Sequence, residues 1–448
     1  MTNLMWDAFS MGSQDNQFRS PARVDGADLR ERNLAVVLHD LLFAQPTSRS
    51  EIADRTGLAK ASLTGLIPEL EALGLAVEAS TSKPAAGRPS KLLTFDGKQL
   101  AVVICEVSET EIITESLDLT GRILRVDREP HKAKLGDVET VVKVMANTIQ
   151  QHRESIANNG SRPIHMVLVV GAAVRGEKPI VLQSKELGWN GPVDLVGLME
   201  ARIPQMRDSI SLVSGVNVAA KAEFEALKRL RLGYPKSVVY LKPDTGISSA
   251  IILDGNLLVG AQGMSPILAH IEVDSNGEIC DCGRRGCLVA QVGPRKVLEL
   301  AGLGSQITES GLQGALQVFV DNLKNGDEAA VEASRKIRKQ LNKFAETLAL
   351  LYDPDFIVLG GYWAEIFEIL ELNSEDLTRR PNFFQTVEGY VEQDGRSVFR
   401  PAAFGARAAR VGALQEVFIR VLNRPLMLKD NGMVPALGPI AEGPTYIW

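Results

Sequence analysis

SVVYLKPDTGISSAIILDGNLLV, residues 237–259, decides how this 448-residue chain is read. Strands are predicted at 237–241 and 249–253, each a serine followed by β-branched, aromatic or aliphatic residues, the composition that suits a pleated, half-buried surface. A third short strand, 256–259, follows Asp254-Gly255, a pair that accepts the positive φ values of a tight hairpin turn. A helical pattern over 329–351 and a strand at 356–359, closed by Gly360-Gly361, complete the unit. Working towards the N-terminus, the same order recurs. Strands are predicted at 101–107, 112–117 and 122–126, with a turn at 118–121, then a helix over 138–156 and a strand at 166–171. A strand-strand-strand-helix-strand unit used twice predicts an α/β protein of two lobes with a cleft between them.

The chain is longer than one hydrophobic core usually spans, so two or three domains are expected. With 45% hydrophobic and 23% charged residues, its balance is globular and disorder is excluded as a general state. A net charge of -6 excludes a uniformly basic nucleic-acid coat, but a small DNA-reading module can sit on an acidic body because its electrostatic footprint is local. No apolar run reaches the roughly 18 residues of a membrane span, and the N-terminus lacks a basic start followed by an apolar stretch. A cytoplasmic protein is expected.

Ahead of the lobes, residues 1–27 read as a polar arm and 28–97 as a separate module. Leu34, Val37, Leu38, Leu41 and Leu42 recur at helical spacing. Ser48-Arg49-Ser50-Glu51 then has the form of a capping box, in which the serine oxygen and the glutamate each satisfy an orphan backbone N–H. A second helix is expected from there to about Thr56, with a turn at Gly57 and a third helix over 59–73 stopping at Gly74. Strands at 75–79 and 91–95 flank a Ser/Lys/Pro/Ala/Gly-rich loop ending in Gly87-Arg88-Pro89, a candidate wing. This is the order of a winged helix-turn-helix, whose recognition helix enters the major groove with polar side chains near its start. Lys60, Ser62 and Thr64 are the candidates for base and phosphate contacts, Arg49 and Arg55 for phosphates, and Arg88 for a minor groove. Ala59 in place of a capping serine or threonine, and Pro68 inside the third helix, are the two features expected to disturb it.

The sharpest chemical signal is His270 followed by Cys280-Asp281-Cys282-Gly283-Arg284-Arg285-Gly286-Cys287. One imidazole and three thiolates make a closed tetrahedral set that suits a structural Zn²⁺, with no position left for water. The fourth cysteine, Cys105, is distant, so a metal site in a reducing compartment fits better than a disulfide framework. At this segment the sequence resembles the ROK family of sugar kinases and repressors. The family's CxCGxxGC is present as CDCGRRGC, and His270 stands where its GExGH motif places a ligand. LGWNGPVDL (187–195), NVAAKAE (217–223), DTGISSAIILDGNLLVGAQG (244–263) and DPDFIVLGG (353–361) extend the resemblance over most of the chain. It implies an actin-like ATPase fold, a duplicated ribonuclease H-like unit in two lobes over 98–424, behind an all-α winged helix-turn-helix. It also implies homodimers or homotetramers and a duplex DNA operator, an inverted repeat. Residues 425–448 read as an irregular tail.

The same resemblance argues against catalysis. The family's DxGGT phosphate loop aligns with Glu106-Val107-Ser108-Glu109-Thr110, which sets a carboxylate where backbone should approach an anion. Its catalytic aspartate aligns with Gly215, which has no side chain to accept a proton. Its sugar-gripping glutamates align with Ile267 and Val289. No enzyme is expected, although an active sugar kinase with a DNA-binding appendage is the rival reading. A less polar or phosphorylated ligand, a protein partner, or no effector at all remain open, and Asn190, Asp194 and Asn217 are the polar groups assigned to an effector.

Overall fold

The computed structural model describes residues 26–79, 91–175, 179–228, 235–261, 264–372, 398–430 and 433–436. The chain opens with α1 (Gly26–Phe43), β1 (Thr47–Ser48), α2 (Arg49–Thr56), α3 (Lys60–Ala72), β2 (Ala76–Ala79) and β3 (Leu92–Phe95). Ser48 caps α2 as the sequence predicts. Its Oγ accepts from the Glu51 N–H at 3.3 Å, and the Glu51 carboxylate accepts from the Ser48 N–H at 2.7 Å. Gly57, at φ 71°, ends the helix in the left-handed conformation that favours glycine. Helix α3 starts at Ala59 without a side-chain cap and continues through Pro68, so tertiary packing overrides both local penalties. Leu34, Leu38, Ile52, Leu63, Ile67 and Leu70 are fully buried and form the core of these helices. Their sheet has the order β1-β3-β2. That is one strand more than expected, because Thr47 and Ser48 pair with Leu93 and Leu92.

The chain divides into two compact units, 1–215 with 410–448, and 216–409. In the first, β4 (Leu100–Val107), β5 (Glu111–Asp118) and β6 (Ile123–Pro130) form an antiparallel meander. After α4 (Val138–Asn158), β7 (Arg162–Val170) lies parallel to β4. A small β8 (Ala173–Arg175) and β9 (Ile180–Gln183) ribbon and α5 (Leu195–Arg202) lead to β10 (Ile210–Ser214), which pairs parallel with β7. The second unit repeats the scheme. After α6 (Gly215–Lys228) come β11 (Ser237–Pro243), β12 (Ile247–Leu253) and β13 (Asn256–Leu257), then α7 (Leu288–Val292), α8 (Pro294–Leu300), α9 (Gln306–Lys324) and α10 (Glu328–Leu351). Then β14 (Phe356–Leu359), α11 (Gly361–Glu365), α12 (Phe367–Leu370) and β15 (Phe399–Pro401) close the sheet. Numbered within its own unit, each sheet has the order 3-2-1-4-5, with the meander antiparallel and the last two strands parallel. The duplication read in the sequence is therefore complete, down to a fifth strand in each half that the sequence reading lacked.

Helices α13 (Ala408–Asn423) and α14 (Met427–Asp430) return the chain to the first unit. There they receive the N-terminal helices. Phe418 meets the Phe95 ring edge-on at 5.9 Å between centroids, His39 Nε2 lies 3.2 Å from Asn423 Oδ1, and Lys429 pairs with Glu69 at 3.2 Å. The stretch expected to be irregular is tied down further. The Val434 N–H donates to the Ile164 carbonyl at 2.8 Å, and the His165 Nδ1–H donates to the Val434 carbonyl at 2.8 Å. Burial holds His165 neutral by lowering its pKa to about 4. Among the described residues no helix is long and apolar enough to cross a membrane.

Candidate metal centre and nucleic-acid interface

Helix α3 has one buried face and one bare one. Leu63, Leu66, Ile67 and Leu70 point into the core, while Lys60, Ser62, Thr64 and Gly65 are exposed on consecutive outward positions of the first two turns. Its start carries no capping side chain, so the N-terminal backbone donors and the Lys60 ammonium are presented together. Thr64 Oγ1 lies 3.3 Å from the Lys60 carbonyl, to which it donates. Arg49 is exposed at the first position of α2. Arg55, expected to face phosphate, is instead clamped by Asp40. Its Nε and Nη2 donate to the two carboxylate oxygens at 2.7 and 2.8 Å, and Nη2 also reaches Thr47 Oγ1. That fork ties α1 to α2. Arg88 and the wing loop, 80–90, lie outside the described residues.

In the second unit the four residues of the predicted metal set come together. His270 ends a 3-10 turn, Leu268–His270, that follows Ile267, and the segment 271–287 folds back over it. The Val273 N–H donates to the Gly286 carbonyl, the Gly286 N–H to the Glu278 carbonyl and the Gly283 N–H to the Cys280 carbonyl, each at 2.8 Å. Gly286 must be glycine on two counts. Its φ is 69°, and a Cβ there would lie 1.7 Å from the Asp274 carbonyl oxygen. Cys287 is fully buried and anchors the knuckle to the core through its neighbour Leu288.

All four ligand atoms lie within 4.8 Å of one another. His270 Nδ1 is 3.5 Å from Cys280 Sγ, and Cys282 Sγ is 3.6 Å from Cys287 Sγ. Tetrahedral thiolates at about 2.3 Å from a central ion stand about 3.8 Å apart, so these spacings are close to the edges of such a tetrahedron, and far too long for a disulfide. The residues fit a closed metal centre. Burial and the neighbouring sulfurs push the Cys287 thiol up to about 12, so an ion that binds must displace its proton, and affinity falls as pH falls.

The sequence profile of the ROK family matches residues 109–414. The chain belongs to the ROK family. It is 22% identical over 359 residues to the xylose repressor of Caldicellulosiruptor bescii, covering 76% of this chain and 86% of that protein. A solved ROK family transcriptional regulator, a homolog of E. coli Mlc, superposes with a TM-score of 0.66 over 90% of this chain and 99% of its own, at 18% identity. The ROK hexokinase of Thermus thermophilus gives a TM-score of 0.51 over 74% of this chain and 99% of its own, at 22% identity. The fold is thus the ROK family's actin-like one.

The turn between β4 and β5, residues 108–111, is closed from inside. The Ser108 N–H and Oγ both bond the Glu111 carbonyl, at 3.0 and 2.9 Å, and the Glu111 N–H returns a bond to Ser108 Oγ. The Glu109 N–H donates to the Glu186 carboxylate at 3.2 Å, which lies against Gly171 so closely that a Cβ there would be 2.2 Å from Glu186 Oε2. Backbone donors that could face a phosphate are therefore spent on the protein's own groups, one of them anionic. Glu106 is held in a buried ion cluster, paired with the Arg410 guanidinium, whose Nε also donates to Glu115 at 2.8 Å. Gly360 and Gly361 also have structural reasons to be glycine, since Cβ atoms there would lie 2.4 Å from the Tyr240 hydroxyl and 2.7 Å from the Pro243 carbonyl.

Of the effector candidates, Asn190 and Asp194 belong to the first unit and Asn217 to the second. Asn190 is exposed. Asp194 caps α5, its Oδ1 accepting from the Gly197 N–H at 2.8 Å, and Asn217 Oδ1 accepts from Ser265 at 2.6 Å. Ile267 is 62% exposed, an aliphatic side chain at the position that the sequence resemblance assigns to a sugar-gripping glutamate. Sequence reasoning missed Arg410, Glu186 and the Asp40 clamp. The Asp194 cap had a signal, an aspartate directly before a helical run.

Proposed function

We propose that this ROK protein is a DNA-binding transcriptional repressor of the cytoplasm, a homo-oligomer whose actin-like domain senses without transferring phosphate. Residues 28–97 form its winged helix-turn-helix, with α3 as the recognition helix. The observation that carries the reading is the bare polar face of α3, Lys60, Ser62 and Thr64, set above a fully apolar inner face. Arg49 supports it as a phosphate contact, Arg88 is assigned to the minor groove, and Arg55 serves by fixing α2 against α1. Two such modules in a symmetric oligomer would address inverted half-sites about 34 Å, one helical turn, or a multiple of it apart. A structural Zn²⁺ held by His270, Cys280, Cys282 and Cys287 fixes the knuckle. It closes the coordination sphere, so it supplies fold and no Lewis-acid step.

The closed 108–111 turn and the missing base at Gly215 favour regulation over phosphorylation. Exposed Ile267 and half-buried Val289 favour an effector less polar than a sugar, or a protein partner, with Asn190, Asp194 and Asn217 as the polar groups left to meet a small molecule. The test is selection of duplexes from sheared genomic DNA by the purified full chain, in parallel with an ATP-coupled assay over a sugar panel. Enrichment of a shared inverted motif with a silent assay is expected. Turnover of any sugar, or no enrichment, overturns the reading.

A further inference from the structure

Glu69 stands where local electrostatics oppose it. It lies in the last turn of α3, and the carbonyl end of a helix repels a carboxylate. It also falls seven residues after Ser62, about two turns on and on the same side of the helix, so it extends the stripe that is proposed to meet DNA. A lone carboxylate there would be pushed away by phosphates. Two cations hold it instead, one at each oxygen. The Arg30 Nε–H of α1 donates to Glu69 Oε2 at 2.8 Å, with Nη2 2.7 Å from the same oxygen, and the Lys429 Nζ of α14 lies 3.2 Å from Oε1. The Glu69 side chain is 13% exposed, whereas those of Arg30 and Lys429 are 51% and 64% exposed. The carboxylate is therefore gripped in a recess, and the triad as a whole turns a net positive charge to the outside.

The two cations differ in what carries them. Arg30 belongs to the N-terminal helices themselves, so its pair fixes α3 against α1. Lys429 belongs to α14, which follows α13, and α13 is fastened near its start to the sheet of the first unit, where Arg410 pairs with Glu106 of β4 and Glu115 of β5. About 20 Å further along the same helix, Phe418 meets Phe95 and Asn423 meets His39. We propose that Glu69 is the positioning residue of the recognition helix, gripped by Lys429 so that the first unit sets the angle at which α3 enters the groove. The inference rests on the DNA-reading role proposed for α3 and adds the means by which the rest of the unit controls it. Exposed ion pairs contribute little to folding, so stability does not account for the triad. Orientation does. Moving a half-site by one base pair shifts it by about 3.4 Å along the duplex and turns it by about 35° around the axis, so two reading heads held at a fixed angle accept one spacing and loosely held ones accept several.

The test is anisotropy titration of the full chain on duplexes that carry its selected half-sites, with their separation varied in single base-pair steps and salt varied at the preferred one. Glu69→Gln keeps the shape of the side chain and removes a negative charge from the DNA side. Charge alone predicts tighter binding. Positioning predicts the opposite, binding about tenfold weaker at the preferred spacing, the cost of one misplaced base contact, with the neighbouring spacings now bound nearly as well. Glu71→Gln removes the same charge from the same turn and should bind as the unmodified chain does, or tighter. Lys429→Gln should reproduce the loss and the broadened spacing with the salt slope unchanged. A slope shallower by about one would make Lys429 a phosphate contact and overturn the grip. Thermal melting should stay near that of the unmodified chain in every variant; if it falls in Glu69→Gln, Lys429→Gln carries the test, because it changes only an exposed side chain. Tighter binding by Glu69→Gln, or an unchanged spacing preference in both variants, overturns the positioning role while leaving DNA reading by α3 intact. An unmodified chain that binds no duplex overturns that reading and the inference with it.

Discussion

Removing the Arg410 guanidinium should damage the first unit more than any other single loss of charge there. Arg410 and Glu115 are each 3% exposed at the side chain and Glu106 17%, so Arg410→Leu leaves two carboxylates facing each other out of water. Breaking a buried pair in this way costs about 3–5 kcal/mol. For a unit of this size that is a fall of about 10 °C in melting temperature. The assay is calorimetry with urea unfolding of the full chain at pH 7.5. Replacing all three residues, Arg410→Met with Glu106→Gln and Glu115→Gln, should recover most of it, since neutral groups of similar shape need no counter-charge. A loss under about 1 kcal/mol in the single variant would mean that the cluster is hydrated, and that Glu106 is free for work on a ligand.

Further outcomes follow from the knuckle and from Glu223. Cys282→Ser with Cys287→Ser should abolish metal retention, read by mass spectrometry of the native protein, and lower the melting temperature of the second unit; retained metal would contradict the tetrahedral set. Gly286→Ala should act in the same direction without removing a ligand, because its Cβ collides with the Asp274 carbonyl. Burial raises Glu223 from 4.5 to about 7, against the lowering effect of the Phe404 and Ala403 N–H groups that it accepts from. A carboxyl raised in the fold stabilises below its unfolded value, and that contribution is lost as pH climbs through the folded one. Stability should thus decline between about pH 4.5 and 7, by up to about 3 kcal/mol, and Glu223→Gln should flatten the slope; an unchanged slope would assign it to other groups.

Local chemistry made much of this molecule legible in the sequence. Ser48 and Glu51 are three residues apart and bond each other, and Asp254-Gly255 takes the positive φ values, 48° and 79°, that the hairpin needs. The four metal ligands were readable because three cysteines fall between positions 280 and 287, with Gly283 and Gly286 allowing the tight wrap between them. What escaped depends on distant partners. Arg410 finds Glu106 some three hundred positions away, and Arg55 looks like a free surface cation until Asp40 is brought beside it by the turn between helices. The fifth strands, Ile210–Ser214 and Phe399–Pro401, are too short to carry a period of their own and exist because a parallel neighbour is already in place. Strand β6 runs on to Pro130 through Arg125, Asp127 and Arg128, because an edge strand tolerates charge that a central one would not.

A repressor of this kind must read DNA with the outer face of α3. Fluorescence anisotropy of the full chain on its selected duplex, titrated across salt, measures this directly. The chain should bind with a steep salt dependence, and Lys60→Ala with Arg88→Ala should weaken binding and make the log-log slope shallower by about one per lost phosphate contact. Equal affinity and equal slope for the variant, or indifference of the unmodified chain to every duplex, would contradict it.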